Sequence, residues 1–313
     1  MNIQKERDFK NIEKFLRNNF SSPTHWPDWN LVISKYFETD FFYYKALDND
    51  KCIGICPVHL EKNGFLKNYR SGQFRFIPFG GWIFSEKVKL SKNFFPVDLL
   101  SSFQIFSVPV VEEFGTDYSN FPYIKKETLI VDLRKEIKEI WKEDIHSKRR
   151  NMIRKAEKKG ITITDKNDYE SFYKIYREAS IRSQLPVQPK ELFVELFEKS
   201  PNIKFDILTA DLDGKPLANV VISYDKDYSI YWLGNNADDT PNLGQGEILQ
   251  WEAIKRMKEA GCKYYDLCYI EKEKLPHIYK FKKGFSKTEA PIIYYDKKSF
   301  YYRVINKIIN VKY

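Results

Sequence analysis

Short hydrophobic runs separated by polar turns dominate the first 130 residues, which is the pattern of β-strands in a meander. Two of these runs flank Asp48-Asn49-Asp50, a turn sequence that predicts an antiparallel hairpin. Two amphipathic stretches near the N-terminus predict helices that precede the strands. The predicted elements are, in chain order, helices at 11–19 and 29–37 and strands at 41–47, 52–60, 74–84 and 103–111.

From residue 132 onward, helical and strand patterns alternate in a second series. A strongly basic helix is predicted to end at Gly160, because glycine readily adopts the left-handed conformation that closes a helix. A second hairpin is predicted around the turn 211–215. The helices are predicted at 133–142, 144–159, 169–184, 189–199, 246–260 and 276–283, and the strands at 161–164, 204–210, 216–224, 228–234 and 263–268.

The second hairpin is similar to the first, since each joins two apolar runs through an acidic turn. This echo predicts two related α/β domains, at 1–130 and 131–290. Two placements are open for the tail 291–313, in which Tyr, Val and Ile alternate with Arg and Lys. It either packs back on the first domain or makes a peripheral contact with a membrane face.

Composition places the chain among folded proteins, because 42% of its 313 residues are hydrophobic and 16% are aromatic. The net charge of +9 favours anionic partners, although AT-rich codon usage would also inflate the lysine content. No apolar run is long enough to cross a bilayer and the first ten residues are polar, so a cytoplasmic protein is predicted. The spacing of the four cysteines does not fit a zinc site, and free thiols and no metal are expected.

The basic helix at 144–159 carries far more cations than solvation requires, and like charges four residues apart repel one another. A groove lined by these side chains would hold phosphates. The alternative is an ordinary solvated helix face. The phosphate-binding candidates are Lys148, Arg150, Arg154 and Lys155.

Three stretches together resemble FemAB-type proteins, the peptidoglycan bridge-forming aminoacyltransferases and their polysaccharide-cluster relatives. They are the run 150–161, the series 213–218, 228–234 and 249–254, and the closing pair 264–267 and 278–285. The resemblance covers about residues 145 to 290, and the order of elements there is that of a GNAT acyltransferase. It implies tandem GNAT-like α/β domains, each with a mixed, mostly antiparallel sheet flanked by helices. The family's long coiled-coil arm has no counterpart in this sequence.

Between a predicted strand and a predicted helix lies the glycine-containing loop 242–248. Two glycines free the backbone to approach a ligand, and the helix start that follows favours an anion. GNAT enzymes bind coenzyme A in this way, whereas Pro241 stands where they have Arg or Gln. A simple glycine-rich start of a helix is the alternative. The donor-binding candidates are Leu243, Gly244, Gln245 and Gly246.

The catalytic candidates come from the resemblance and from side-chain chemistry. Lys282 stands where the family places a lysine near the reacting centre, and an ammonium there would stabilise an oxyanion or a phosphate. Asp266, at a strand end, would orient or deprotonate the acceptor amine, and His277 or His146 would act as a base. The alternatives are surface or capping roles. By family position, the acceptor-binding candidates are Tyr176, Arg182 and Gln184.

No cysteine or serine sits in a nucleophile motif, so direct transfer between two bound substrates is predicted, with no tightly bound cofactor. Three functions remain open. The first is N-acyl transfer from acyl-CoA to an amine of a nucleotide- or lipid-linked envelope sugar. The second is transfer of an amino acid from aminoacyl-tRNA to a peptidoglycan precursor. The third is a non-catalytic module that binds RNA or anionic membranes.

Overall fold

The computed structural model describes residues 1–91, 94–95, 98–119, 121–165 and 167–310, apart from the side chains of 309 and 310. The chain forms two units. Unit 1 comprises Met1–Glu127 together with Ala290–Tyr313, and unit 2 comprises Thr128–Glu289. Each unit is a mostly antiparallel sheet with helices, which is the fold class predicted from the sequence.

Unit 1 begins with a strand, β1, and places two helices before the hairpin that the sequence predicted. Its helices are α1 (Phe9–Asn18), α2 (Pro27–Tyr36) and α9 (Phe300–Asn310). Its strands are β1 (Asn2–Glu6), β2 (Asp40–Asp48), β3 (Lys51–Asn63), β4 (Leu66–Ser71), β5 (Ile83–Phe84), β6 (Val88–Lys89), β7 (Ser101–Phe106), β8 (Thr116–Asp117) and β15, which begins at the unit boundary (Thr288–Lys298).

The sheet of unit 1 has the strand order β1-β2-β3-β4-β7-β15, and β5 also pairs with β3. Its core is rich in aromatic rings that contact one another, among them Phe42, Trp82 and Phe103. The tail belongs to this unit, because Tyr302 of α9 is buried and its hydroxyl donates to Asn68 Oδ1 at 2.6 Å. The last three tail residues, 311–313, lie outside the described residues.

Two strand predictions in unit 1 are wrong in extent. Of the predicted strand 74–84 only Ile83–Phe84 is regular, because Gln73 and Arg75 have φ values of 44° and 53° that turn the chain out of the extended region. The predicted strand 103–111 ends at Phe106, shortly before Pro109, which has no N–H to donate to a ladder.

Unit 2 follows the predicted series closely. Its helices are α3 (Ile137–Glu139), which continues as a π-helical turn (Ile140–Asp144), α4 (Ser147–Lys158), α5 (Tyr169–Arg182), α6 (Lys190–Glu198), α7 (Gln245–Glu259) and α8 (Pro276–Lys283). Its strands are β9, which crosses the unit boundary (Ile124–Asp132), β10 (Thr162–Thr164), β11 (Lys204–Leu212), β12 (Lys215–Tyr224), β13 (Tyr228–Asn236) and β14 (Tyr264–Asp266).

The predicted basic helix does end where the sequence indicated, with Gly160 at φ 80° just after its C-cap. The predicted helix 133–142 is wrong in its first half, because Leu133 is bonded to Lys263 beyond the end of β9 and the helical turns start at Ile137. Its second half widens into the π-helical turn, whose last residue, Asp144, is buried and pairs with Lys135.

The hairpins β2–β3 and β11–β12 share more than an acidic turn. Each has a two-residue turn in which both residues have positive φ, namely Asn49-Asp50 and Asp213-Gly214. Each also carries a register shift just before the turn, after Ala46 and after Ala210. This shared geometry adds to the sequence similarity of the two hairpins, from which two related domains were predicted.

The sheet of unit 2 has the order β9-β14-β13-β12-β11-β10, and only β13 and β14 run parallel. Their pairing lasts three residues and ends at Ile230 and Asp266, after which β13 continues without β14 to Asn236. The register between β12 and β13 shifts between Val221 and Ile222, which pair with Leu233 and Tyr231. The strands of unit 2 therefore separate in the middle of the sheet, which leaves room for a cavity.

All four cysteines are free thiols. Within the described ranges, no three or more His, Cys, Asp or Glu side chains are grouped in a way that could hold a metal ion. None of the helices in those ranges is long and apolar enough to span a membrane.

Candidate functional site

A cavity of about 490 Å³ lies in unit 2 beside the part of β13 that has left β14. It is lined by the middle of β12, the second half of β13, the start of α7 with the loop before it, one face of α8, and Arg149 of α4. The lining residues are Arg149, Ala218, Asn219, Val220, Tyr231, Gly234, Asn235, Asn236, Thr240, Asn242, Gln245, Gly246, Glu247, Leu249, His277, Ile278 and Phe281.

The start of α7 forms one wall of the cavity, as the loop 242–248 predicted. Leu243 N–H donates to Gln245 Oε1 at 2.8 Å and Gly244 N–H donates to Asn242 Oδ1 at 3.1 Å, so these two amides are already engaged. The N–H groups of Gln245 and Gly246 belong to the first helical turn, where no intrahelical acceptor exists. Of the four predicted donor-binding residues, Gln245 and Gly246 therefore line a place that suits an anion.

The two loop glycines have different roles. Gly244 has φ 93°, and a Cβ there would lie 2.3 Å from the carbonyl oxygen of Met152 on α4. A Cβ at Gly246 would meet nothing closer than the Phe281 ring at 3.6 Å. The conformation and missing side chain of Gly244 serve the close packing of α4 against α7, and its donor-binding role stays a prediction.

A buried ion pair that the sequence reading missed closes this end of the cavity. Arg149 Nη1 lies 2.7 Å from Glu247 Oε1, and the two side chains are 14% and 5% exposed. Arg149 also donates to the Lys280 carbonyl at 3.1 Å and lies over the Phe281 ring. One guanidinium thus joins α4, α7 and α8. A signal existed, since Arg149 stands four residues from both Ile145 and Ile153 on the apolar stripe of the basic helix.

The four predicted phosphate-binding residues do not line this cavity. Arg150 has a structural role. Its Nη1 donates to the carbonyls of Trp141, Lys142 and Ile145 and so closes the π-helical turn. Its predicted phosphate role stays a prediction. Lys148 is exposed, and its backbone N–H donates to Nδ1 of His146, whose imidazole caps the start of α4.

Arg154 and Lys155 lie on a separate, shallow depression of about 410 Å³ on the outer side of α4. We call it the cationic surface; its residues are Asn151, Arg154, Lys155, Lys158 and Lys159. Lys155 Nζ donates at 3.0 Å to the carbonyl of Asn242, which lines the cavity. The cationic surface therefore adjoins the cavity at the loop before α7.

Lys282 and Asp266 come together in a buried polar cluster that does not line the cavity. Asp266 accepts hydrogen bonds from Thr128 Oγ1 at 2.6 Å, Tyr228 Oη at 2.8 Å and Cys268 N–H at 2.7 Å. Lys282 Nζ donates to the Cys268 carbonyl at 3.0 Å. Burial lowers the pKa of Lys282, and the neighbouring Cys268 and Asp266 oppose this shift. Their catalytic roles stay predictions, and this geometry suits positioning better than direct contact with substrate.

Burial raises the pKa of Asp266 from 3.8 to about 6, against the hydrogen bonds from Thr128 and Tyr228. Between these values the native carboxyl keeps a proton that the unfolded chain has released. Its contribution to stability is therefore complete below about pH 3.8 and is lost as the pH rises through about 6. Relative to Asp266→Asn, the wild-type free energy of unfolding should fall by roughly 3 kcal/mol across this window, as measured by urea unfolding. A constant difference would contradict the raised pKa.

His277 and Tyr231 are the titratable side chains of the cavity that remain free of the ion pair. His277, a predicted base, is exposed in the first turn of α8. Tyr231 was missed. Burial raises its pKa to about 12, so its hydroxyl is protonated at neutral pH and can donate. Its ring lies 5.4 Å from Lys282 Nζ, and its hydroxyl covers Gly234, where a Cβ would lie 1.9 Å away.

The predicted acceptor-binding residues are dispersed. Tyr176 is buried, and its hydroxyl accepts from the N–H of Gln188 at 3.2 Å. Arg182 forms an ion pair with Asp238 and donates to the carbonyl of Asn236, a lining residue, at 3.1 Å. Gln184 is exposed, with φ 54°. Only Arg182 therefore reaches the rim of the cavity, and the acceptor role of all three stays a prediction.

Comparison with known proteins agrees with this geometry. Residues 147–282 match the family described as "Acetyltransferase (GNAT) domain", a range that contains every residue that lines the cavity. No curated protein matches the sequence.

Solved structures match the whole chain at low sequence identity. FemX is similar with a TM-score of 0.66 and 10% identity, over 99% of this chain and 100% of its own. The C-terminal domain of a putative lysylphosphatidylglycerol synthetase from Agrobacterium fabrum gives 0.58 and 10%, over 97% and 96%. L-PGS from Bacillus licheniformis gives 0.51 and 14%, over 94% of each chain. Residues 147–282 therefore contain a GNAT acetyltransferase domain, and the chain shares its fold with FemX and with these synthetase domains.

Proposed function

We propose that the chain is an N-acyltransferase that moves an acyl group from acyl-CoA onto an amine of a cell-envelope sugar or precursor. One observation carries the proposal. A single cavity combines the free amides of a helix start with an exposed histidine and a protonated tyrosine, and it adjoins a cationic surface. Acyl-CoA enters as a co-substrate and not as a bound cofactor, and we place the reaction in the cytoplasm, where such donors are made.

The donor would lie with its phosphates at the start of α7 and on the cationic surface. The Gln245 and Gly246 amides offer hydrogen bonds and the positive end of the helix dipole. The lining itself is close to neutral, because Arg149 is paired with Glu247. Lys155, Lys158 and Lys159 therefore supply the positive charge that a polyanionic donor needs.

The chemistry is a direct transfer. The acceptor nitrogen attacks the thioester carbonyl carbon, the C–N bond forms and the C–S bond breaks, and the thiolate leaves with the electron pair. His277, which lines the cavity, would take the proton that the amine loses. The Tyr231 hydroxyl is placed to donate to the developing oxyanion or to protonate the thiolate.

The acceptor is proposed from the polar rim and from the FemAB resemblance. Asn235, Asn236 and Thr240 line the cavity, and Arg182 reaches its rim. Amide, hydroxyl and guanidinium groups of this kind suit the hydroxyl and phosphate groups of a nucleotide- or lipid-linked amino sugar.

A second donor, aminoacyl-tRNA, is favoured by one observation. The cationic surface lies outside the cavity on the outer side of α4, where a long polyanion could follow it. In that reaction the ester oxygen of the tRNA replaces the thiolate as leaving group, and a peptidoglycan precursor supplies the amine.

The two donors are separated by one assay on the purified chain. Acetyl-CoA and longer acyl-CoA thioesters are offered with UDP-linked amino sugars, and free thiol release is followed. In parallel, tRNA charged with radiolabelled amino acids is offered with a UDP-linked muropeptide, and label transfer is followed. Amine-dependent thiol release supports the first reading, and label transfer that weakens steeply with salt supports the second. The absence of turnover with both donor classes would contradict an acyltransferase acting on envelope amines.

A further inference from the structure

Unit 1 exposes several bulky apolar side chains close together at one edge of its sheet. Helix α9 has 11 residues and carries four exposed apolar side chains, at positions 300, 301, 304 and 308. At about 100° per residue, these four fall within an arc of about 100° on the helix. Tyr302 points the other way and is buried against Asn68. The apolar stripe therefore faces solvent because the helix is fixed by its opposite side.

Two more exposed apolar side chains lie at the same edge. Phe65 occupies the β3–β4 turn and is 88% exposed. Leu99 is exposed too, and its carbonyl accepts from the Ser299 hydroxyl just before α9. Phe65 and Leu99 each stand two residues before the first partners of the parallel pair β4–β7, Lys67 and Ser101, so they share one sheet edge. We name these six residues the apolar edge; they are Phe65, Leu99, Phe300, Tyr301, Val304 and Ile308.

Cations surround the apolar edge. Arg303 and Lys307 flank the stripe on α9 and are exposed, and neither forms an ion pair with any residue in the described part of the chain. Lys62 and Lys67 face each other across the hairpin that carries Phe65. Nearby carboxylates are neutralised, since Asp98 pairs with Lys67 and Asp296 with Lys298. The local charge is therefore positive.

We infer that the apolar edge docks on the surface of a lipid bilayer that contains anionic lipids. Bulky apolar side chains enter the boundary between headgroups and acyl chains, while adjacent Arg and Lys reach the phosphates. At 11 residues α9 is too short to span a bilayer, so it would lie in the interface plane. A second copy of this chain fits less well, because a two-fold contact through α9 would bring Arg303 and Lys307 near their own equivalents. The inference rests on unit 1 alone and does not depend on the proposed reaction.

The test is co-sedimentation of the full chain with vesicles. One set contains phosphatidylcholine only, and the other also contains about one third phosphatidylglycerol. We expect binding to the second set that weakens with salt, and little binding to the first. The double variant Phe65→Ser/Ile308→Ser should bind about tenfold more weakly or worse, since two apolar anchors are lost. Arg303→Gln/Lys307→Gln should lose the preference for anionic vesicles.

The control is Leu31→Ser, which removes an exposed apolar side chain of the same unit on α2. It should bind vesicles like the wild type, and thermal unfolding should show that all variants keep their fold. The inference is overturned if the wild type does not bind anionic vesicles at low salt, or if the Phe65/Ile308 variant binds equally well. It is also overturned if the apolar substitutions abolish a concentration-dependent dimer while vesicle binding is absent, because a second copy would then cover this surface.

Discussion

Replacing Tyr231 by phenylalanine is expected to lower kcat about 100-fold and to leave KM close to its wild-type value. The hydroxyl lines the cavity and is held over Gly234. With a pKa raised to about 12 by burial, it is protonated throughout the neutral range. A donor of this kind acts on charge that develops in the transition state, so its loss should affect turnover more than substrate binding. The measurement is steady-state kinetics with whichever donor supports transfer.

A matched control separates the loss of a catalytic donor from the loss of any tyrosine hydroxyl. Tyr224 lies on the neighbouring strand β12 and donates to Asp206 Oδ1 at 3.1 Å, outside the cavity lining. Tyr224→Phe should keep kcat within about threefold of the wild type. Both variants should unfold within about 1 kcal/mol of the wild-type stability. If Tyr231→Phe were as active as Tyr224→Phe, the hydroxyl would have no part in the reaction.

The parts of the fold that follow local rules could be predicted from the sequence. The turns Asn49-Asp50 and Asp213-Gly214 favour positive φ, which fixes their hairpins, and Gly160 ends α4 in the same way. By contrast β1 was missed, because the polar segment 2–6 has little strand pattern of its own. It is a strand only because β2 offers it an edge to pair with.

In the candidate site, too, the residues with local sequence signals were predicted and those that depend on distant contacts were missed. Gln245, Gly246 and His277 were predicted from motif and chemistry, and they line the cavity. Arg149 and Tyr231 were missed, because each gains its role from residues distant in sequence. Arg149 pairs with Glu247, which is 98 residues further along the chain. Tyr231 faces the cavity because β13 extends beyond the last residue that pairs with β14. The helical spacing places Arg149 on the apolar stripe of its helix, but hydrophobic periodicity identifies neither its partner Glu247 nor the position of Tyr231 at the cavity.

Lys282 and Asp266 show a third outcome. The resemblance placed Lys282 near the reacting centre, and side-chain chemistry suggested Asp266 as a partner of the acceptor amine. The structure brings the two into one cluster. It also buries them, with the Asp266 oxygens accepting from Thr128, Tyr228 and Cys268. Burial depends on how the whole unit packs, which a motif does not encode. A motif can therefore identify neighbours of a site without deciding which of them contacts substrate.

Replacing Arg149 by alanine is expected to destabilise unit 2 by about 3–5 kcal/mol. Glu247 is 5% exposed and lies at the start of α7, and without the guanidinium 2.7 Å away its charge would be buried unpaired. The helix dipole favours a carboxylate at this position, but it offsets only a part of that cost. Arg149 also bonds to the Lys280 carbonyl, so its loss frees α8 as well. Urea and thermal unfolding measure the effect.

The companion variants distinguish an unpaired charge from lost contacts in general. Arg149→Met/Glu247→Leu removes both charges and keeps comparable volume, so it should regain most of the stability that Arg149→Ala loses. Lys274→Ala breaks an exposed ion pair with Glu271 in the same unit, 3.0 Å long, and should cost less than about 1 kcal/mol. A loss below about 1 kcal/mol for Arg149→Ala would mean that the Glu247 carboxylate reaches water in the variant. The start of α7 would then be open to solvent. Solvent and salt would screen its amides, and their affinity for a donor phosphate would be lower than in a closed cavity.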